Sequence, residues 1–311
     1  MSKLLIGTVG SPAMLSGDMT ARKSLIDRVT ESEIDHLFIA DHISFHTGLG
    51  MDGLINAATL AAMAPTTTIV IGVYLLALRH PVPVARQLSS LSMSAPGRIV
   101  LGVGVGGEDR HEMEICGVDP AKRGRQTNHA LAALRGLMSG RKVSYDCEFF
   151  EFEDALIMPA PDPAIPLLIG GRADAAIRRA ATHGDGWLSV WSSANRFGAV
   201  LEQIDEIAAE REDKPEWQHG LQLWTGYGAS EAVARAHVAE QMETMYRIPF
   251  ERFEKYSPYG SAETTAEFLA PYIERGARVL NIKPCAATEE EGIEAVAEVA
   301  RLLKKAFPDL T

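Results

Sequence analysis

The chain has 311 residues, enough to bury a substantial core, and its 41 acidic against 30 basic side chains give a formal charge of −11. That balance argues against nucleic acid or an anionic membrane surface as a partner, since both need clustered Lys and Arg. Cys116, Cys147 and Cys285 are too few and too scattered for a disulfide framework or a zinc knuckle; with no signal-peptide core and no apolar run near the ~20 residues of a membrane span, the reading is one cytoplasmic domain over residues 1–311.

Apolar, β-rich runs recur from end to end, at 4–9, 36–40, 69–75, 99–105, 166–170, 186–190, 220–225 and 278–282. Segments with helical spacing lie between them, such as Leu131, Leu134 and Met138, then Phe197, Val200, Leu201, Ile204 and Ala208. The last, over 289–305, puts Ile293, Val296, Ala300 and Leu303 on one stripe, and Thr288 with Glu291 has capping-box spacing. Near-continuous apolar strands alternating with helices argue a parallel sheet covered by helices, and eight such units in roughly 250 residues or more describe a (β/α)8 (TIM) barrel. Two stretches exceed that plan. Residues 142–161 alternate around Asp146-Cys147-Glu148 and read as a hairpin excursion before strand five; residues 227–260, punctuated by Ile248-Pro249 and Tyr256-Ser257-Pro258-Tyr259-Gly260, read as a lid-like insertion between strands seven and eight.

The fourth run, Arg98-Ile99-Val100-Leu101-Gly102-Val103-Gly104-Val105-Gly106-Gly107, carries glycine at every second position. On a strand these glycines fall on one face and leave it bare, which predicts that a ligand or another backbone comes close there. The run also satisfies G-x-G-x-x-G. A dinucleotide fingerprint, however, needs a helix opening on the third glycine and a strand ending in an acid, whereas charged residues follow Gly107 and no β-rich run appears before Val143.

In a barrel of this kind the active site forms from the loops after the strands. Reading strand ends in order gives Asp41-His42, then Tyr74 to Arg79, then the glycine run with Glu108, then Gly170-Gly171-Arg172, then Trp187 to Ser192. Gly170-Gly171-Arg172 leads directly into a helical pattern, so backbone amides at a helix N-terminus plus a planar guanidinium suit a phosphate. The histidines near strand ends offer no His-x-His or His-Glu-x-x-His pair, so no metal is expected, and the absence of Gly-x-Ser-x-Gly removes the usual serine hydrolase.

Ala40-Asp41-His42, Arg79-His80-Pro81 leading to Ala85-Arg86-Gln87, Gly97 to Gly104, Pro166 to Gly171 and Gly184-Asp185-Gly186-Trp187 occur in one order over almost the whole chain. Together they resemble the luciferase-like (bacterial luciferase superfamily) flavin monooxygenase and F420-dependent oxidoreductase family. The resemblance implies a flavin or deazaflavin lying across the barrel mouth. It implies a proton-donating or polar role for His42, assisted by Asp41 and Glu108. It implies cofactor contacts from Tyr74, Leu75, Gly104, Gly106, Gly107, Gly170, Gly171, Arg172, Trp191 and Ser192. The family's non-prolyl cis bulge behind the ring corresponds to Tyr74-Leu75, and the bare face of strand four is expected to clear the ring. Glu108 falls one residue after the position of the family's catalytic acid, and His46 replaces a tryptophan of its sugar-phosphate oxidising members, which weakens a sugar-phosphate substrate.

The expected activity is hydride transfer with a small organic substrate on coenzyme F420 or FMN, with monooxygenation as one outcome; Asp41-His42 and the Arg172 loop tip the choice toward F420. Alternatives are an FMNH2-dependent monooxygenase fed by a separate flavin reductase, and a non-catalytic flavin-binding barrel. A flavin or F420 reductase and a second copy in a homodimer are the expected partners.

Overall fold

The strands of the parallel sheet are built mainly from β-branched or large apolar residues, and several of their glycines, such as Gly7 beside His36 and Gly220 beside Val279, sit where another group comes close. The computed structural model describes residues 3–46, 48–107 and 109–311. Its parallel strands are β1 (Leu5–Val9), β2 (His36–Ile39), β3 (Thr68–Leu75), β4 (Ile99–Gly104), β5 (Leu167–Gly170), β6 (Gly186–Val190), β7 (Gly220–Tyr227) and β8 (Val279–Cys285). The main helices are α1 (Met19–Thr30), α2 (Gly53–Met63), α3 (Pro81–Ser94), α4 (Arg123–Leu137), α5 (Asp174–His183), α6 (Ala194–Ile207), α7 (Glu231–Tyr246), α8 (Ala262–Glu274) and α9 (Glu289–Ala306). This is the strand–helix alternation of a (β/α)8 fold, and all eight expected strands form. Packing divides the chain into two compact units, residues 1–38 with 186–311, and residues 39–185.

In the first unit the parallel order runs β2-β1-β8-β7-β6. The ladder between β7 and β8 is longer than the sequence predicts. Its rungs continue through Trp224–Lys283, Thr225–Pro284 and Gly226–Cys285, although Lys283 and Pro284 end the apolar run that marks β8 in sequence. Helix α9 has the expected start: the Thr288 hydroxyl accepts from the Glu291 amide at 3.2 Å, three glutamates fill the first turn, and Lys304 and Lys305 sit in the last. Between β7 and β8 the chain forms α7, two 3-10 turns and a short strand, Tyr259–Gly260, that pairs with the end of β7. Phe250 and Phe253 of this segment are buried with Trp224, Val238, Met242 and Cys285, so the lid-like insertion packs its apolar residues against the ends of β7 and β8.

In the second unit β3, β4 and β5 lie side by side and parallel, with rungs such as Val70–Val100 and Val103–Ile169. Nearly every residue of these strands is buried, as expected for strands covered on both faces. The register slips between Ile71 and Tyr74, and within that bulge the Gly72–Val73 peptide is cis. The sequence reading placed the cis bond two residues later, at Tyr74-Leu75; that position belongs to the regular ladder, with Tyr74 opposite Val103 and Leu75 opposite Gly104. The excursion before β5 is the expected antiparallel hairpin, Val143–Cys147 with Phe150–Ala155. Among the described residues no helix is long and apolar enough to cross a membrane.

Candidate active site

Asp41 follows β2 and is buried, so its carboxylate must be satisfied within the protein. Four donors meet it: the amides of Gly53 and Leu75, each at 2.9 Å, and the Arg79 guanidinium at 2.6 and 2.8 Å. Arg79 in turn lies 4.4 Å above the centre of the Tyr74 ring. Burial is the largest single influence on the Arg79 pKa and would lower it; the charge and hydrogen bond of Asp41, with smaller contributions from Tyr74 and Asp52, together outweigh it and the net shift is upward. Tyr74 is raised by burial first, so its phenol stays protonated. Asp41, Tyr74 and Leu75 are thus brought together as a clamp joining the end of β2, the start of α2 and the end of β3.

His42 opens the small hairpin His42–Phe45 with Leu49–Met51, and its orienting partner is Glu112 rather than Asp41. The Nδ1 of His42 lies 3.1 Å from Glu112 Oε2, while Glu112 Oε1 accepts the amides of Ile43 at 2.7 Å and Ser44 at 3.1 Å. Glu112 is 1% exposed. A carboxylate only accepts, so Nδ1 carries the proton and Nε2 of the neutral ring is left as a base or, once protonated, as a donor. No described residue bonds Nε2. The next turn is held the same way: the His46 amide donates to Asp109 at 2.7 Å, and this hydrogen bond is the chief reason that the Asp109 pKa is lowered. Glu108 lies outside the described residues.

The glycine run does not leave a bare face. A Cβ at Gly102 would collide with the Ile71 carbonyl, and one at Gly104 with the side chain of Val73. A Cβ at Gly170 would come within 3.0 Å of Val73 Cγ1. Gly104 and Gly170, on two strands, therefore accommodate the bulge residue Val73, Gly102 accommodates the Ile71 carbonyl, and the ring-clearing reading of strand four is corrected. Gly106 and Gly107 lie past the strand in left-handed conformations, with φ of +62° and +119°, and Leu75, Met113 and Arg123 fill the space beside them. Arg123 Nε donates to the Gly106 carbonyl at 3.2 Å.

Gly170 ends β5, Gly171 has φ +122°, and exposed Arg172 precedes α5. No side chain caps α5 at Ala173, and Asp174 supplies the only acid of its first turn. This donor set, backbone amides at a helix start beside a guanidinium, fits a phosphate. Trp191 and Ser192 belong to the other unit. Trp191, with φ +48°, packs its ring against Tyr246 and Phe253 with centroids at 5.0 and 4.7 Å, and the Ser192 carbonyl accepts the Tyr272 hydroxyl at 2.6 Å. Trp187 is core, stacked on Phe197.

The residues missed in sequence are Glu112, Val73 and Arg123. Glu112 is one acid among several after the glycine run, and only the fold selects it. Val73 has a signal in sequence, Gly104 and Gly170 at matching positions of neighbouring strands, but glycine alone does not separate a close side chain from space for a ligand.

Residues 15–302 match the model of the luciferase-like monooxygenase family. The F420-dependent glucose-6-phosphate dehydrogenase of Beutenbergia cavernae is 33% identical over 168 residues, 51% of this chain and 48% of that protein. This chain spans about half the length of the curated relatives it matches. Two solved structures share the fold. An F420-dependent secondary alcohol dehydrogenase in complex with an F420-acetone adduct has TM-score 0.78 at 17% identity, covering 97% of this chain and 99% of that one. The oxygenating constituent of 3,6-diketocamphane monooxygenase from Pseudomonas putida, in complex with FMN, has TM-score 0.73 at 16% identity, covering 96% and 97%.

Proposed function

Because this chain belongs to the luciferase-like monooxygenase family, we propose that it is an oxidoreductase that binds coenzyme F420 and transfers hydride to or from a small organic substrate. The observation that carries the reading is the His42–Glu112 couple: a half-buried imidazole whose Nδ1 is fixed on a buried carboxylate and whose Nε2 bonds no described residue. Hydride chemistry at a carbon bearing oxygen needs a proton moved at that oxygen, and a histidine held in one tautomer supplies or takes it. Glu112 orients the ring. When bound, F420 supplies the two-electron acceptor or donor, chemistry that no side chain provides. Gly170, Gly171, Arg172 and the open start of α5 would hold its phosphate, and Asp41 acts as a positioning residue through the clamp.

Titration of the purified protein with F420 and with FMN tests this. F420 is expected to bind about tenfold more tightly or better, a difference of about 1.4 kcal/mol. Hydride exchange should then be lost in His42→Ala with cofactor binding retained. Tighter FMN binding with oxygen consumption would make the protein an FMNH2-dependent monooxygenase served by a reductase. Binding without any hydride exchange would make it a non-catalytic carrier, and binding of neither cofactor would overturn the assignment.

A further inference from the structure

Lys283 stands near the carboxyl end of β8, the end at which (β/α)8 folds place their ligands. Its rung partner across the parallel ladder is Trp224, so the two side chains leave the same face of the sheet. That face is already polar one step earlier. The side chains of His36, Asn281 and Gln222 form a hydrogen-bonded row there, at 2.7 Å from His36 Nε2 to Asn281 Oδ1 and 3.2 Å from Asn281 Nδ2 to Gln222 Oε1.

The Lys283 ammonium sits 3.8 Å from the centre of the Trp224 ring, and Trp224 itself is 5% exposed. Tyr246 packs on Trp224 at 5.7 Å between centroids, and Trp191 and Phe253 pack on Tyr246 in turn. Half-buried charge is ordinarily paired. In a chain with 41 acidic residues, finding a partner is easy: Lys304, also half-buried, is met by the Glu33 carbonyl at 2.7 Å and Asp35 at 2.9 Å. Among the described residues no carboxylate and no hydrogen-bond acceptor meets the Lys283 ammonium; it rests on the π face of Trp224. A cation–π contact holds an ammonium in place while leaving its N–H donors unused. Burial lowers the Lys283 pKa, against smaller opposing effects of Cys285 and Glu289, so the protein itself does not supply full compensation for this charge.

We propose that Lys283, seated on Trp224, is an anchor for an oxyanion of the substrate, a carboxylate or a phosphate carried on a planar or apolar body that packs beside the aromatic residues. The assignment of the ligand as substrate rests on the oxidoreductase reading above; the anion site itself does not.

The probes are benzoate, phenyl phosphate and neutral benzamide, followed by tryptophan fluorescence and calorimetry on the full chain. Benzoate or phenyl phosphate should bind about tenfold more tightly than benzamide, and whichever binds better identifies the oxyanion. Lys283→Met should remove that preference, and Lys283→Arg should keep it. Thermal melts of both variants show whether they fold, and Lys283→Arg keeps the test decisive if Lys283→Met does not. Equal binding of benzoate and benzamide, no anion binding at millimolar concentrations, or an unchanged preference in folded Lys283→Met would overturn the proposal. F420 and FMN titrations run in parallel separate the two readings. Loss of cofactor binding with the anion preference intact sinks the oxidoreductase, and the reverse sinks the anchor.

Discussion

A methyl group added at Gly104 would meet Val73, while one added at Gly102 would meet the backbone carbonyl of Ile71. The two positions therefore predict different behaviour. Gly104→Ala should destabilise by about 1 to 3 kcal/mol, the range for overpacking, and Val73→Ala should restore much of that by removing the methyl group in the way. Gly102→Ala should cost at least as much and gain nothing from Val73→Ala, because a carbonyl in a strand cannot step aside. Denaturant unfolding of the three single and two double variants reads this directly. Equal rescue at both positions, or none at Gly104, would mean that the glycines serve something other than the bulge. The expectation of a bare ligand-facing strand was sound as steric reasoning but stopped at one strand. Glycine reports that something is close, and the closest thing was a neighbouring side chain.

At the scale of elements, the Asp41 carboxylate ties the end of β2 to the first amide of α2, to the Leu75 amide and to Arg79. The pair is largely desolvated, with the Arg79 side chain 15% exposed and that of Asp41 0%. Removing one partner of such a pair leaves the other buried without compensation, so Asp41→Asn should cost about 3 kcal/mol or more. Asp41→Asn with Arg79→Met should cost clearly less than the sum of the singles, since the second change removes the stranded charge. Strict additivity in urea unfolding would show that the two residues do not act as a unit. The elements themselves were legible because each has a local cause: eight apolar runs, a capping Thr288, a hairpin alternating through 143–155. The links between them were not. Asp41 meets Leu75 and Arg79, 34 and 38 residues away, and His42 meets Glu112, 70 away, and nothing local distinguishes those partners from other acids and amides. Catalytic orientation is decided by such long-range contacts, which is why His42 was found in sequence and Glu112 was not.

For the whole molecule, the predicted consequence of these buried groups is acid sensitivity well above the carboxylate range. His36 is fully buried with Nε2 on Asn281 and, among the described residues, no partner on Nδ1, and burial lowers its pKa to about 4. His219 is buried with its Nδ1 accepting the Trp187 amide at 3.1 Å; burial again dominates, against a smaller upward effect of Asp205, and its pKa is also about 4. Both imidazoles are neutral in the folded chain down to about pH 4, whereas an unfolded chain protonates them from about pH 6.5. The unfolded state therefore binds more protons throughout that window. Stability is fully present above about pH 6.5 and is lost as pH falls toward 4, by up to about 1.4 kcal/mol per pH unit for each histidine, or roughly 3 kcal/mol each across the window. Urea midpoints at several pH values between these limits should fall steadily. His36→Asn and His219→Gln should each be less stable at neutral pH, yet each should remove about half of the slope, a signature that a general acid lability of carboxylates does not share. A midpoint that is flat from pH 6.5 to 4.5, or a slope that neither substitution changes, would show that these two rings are not buried neutral.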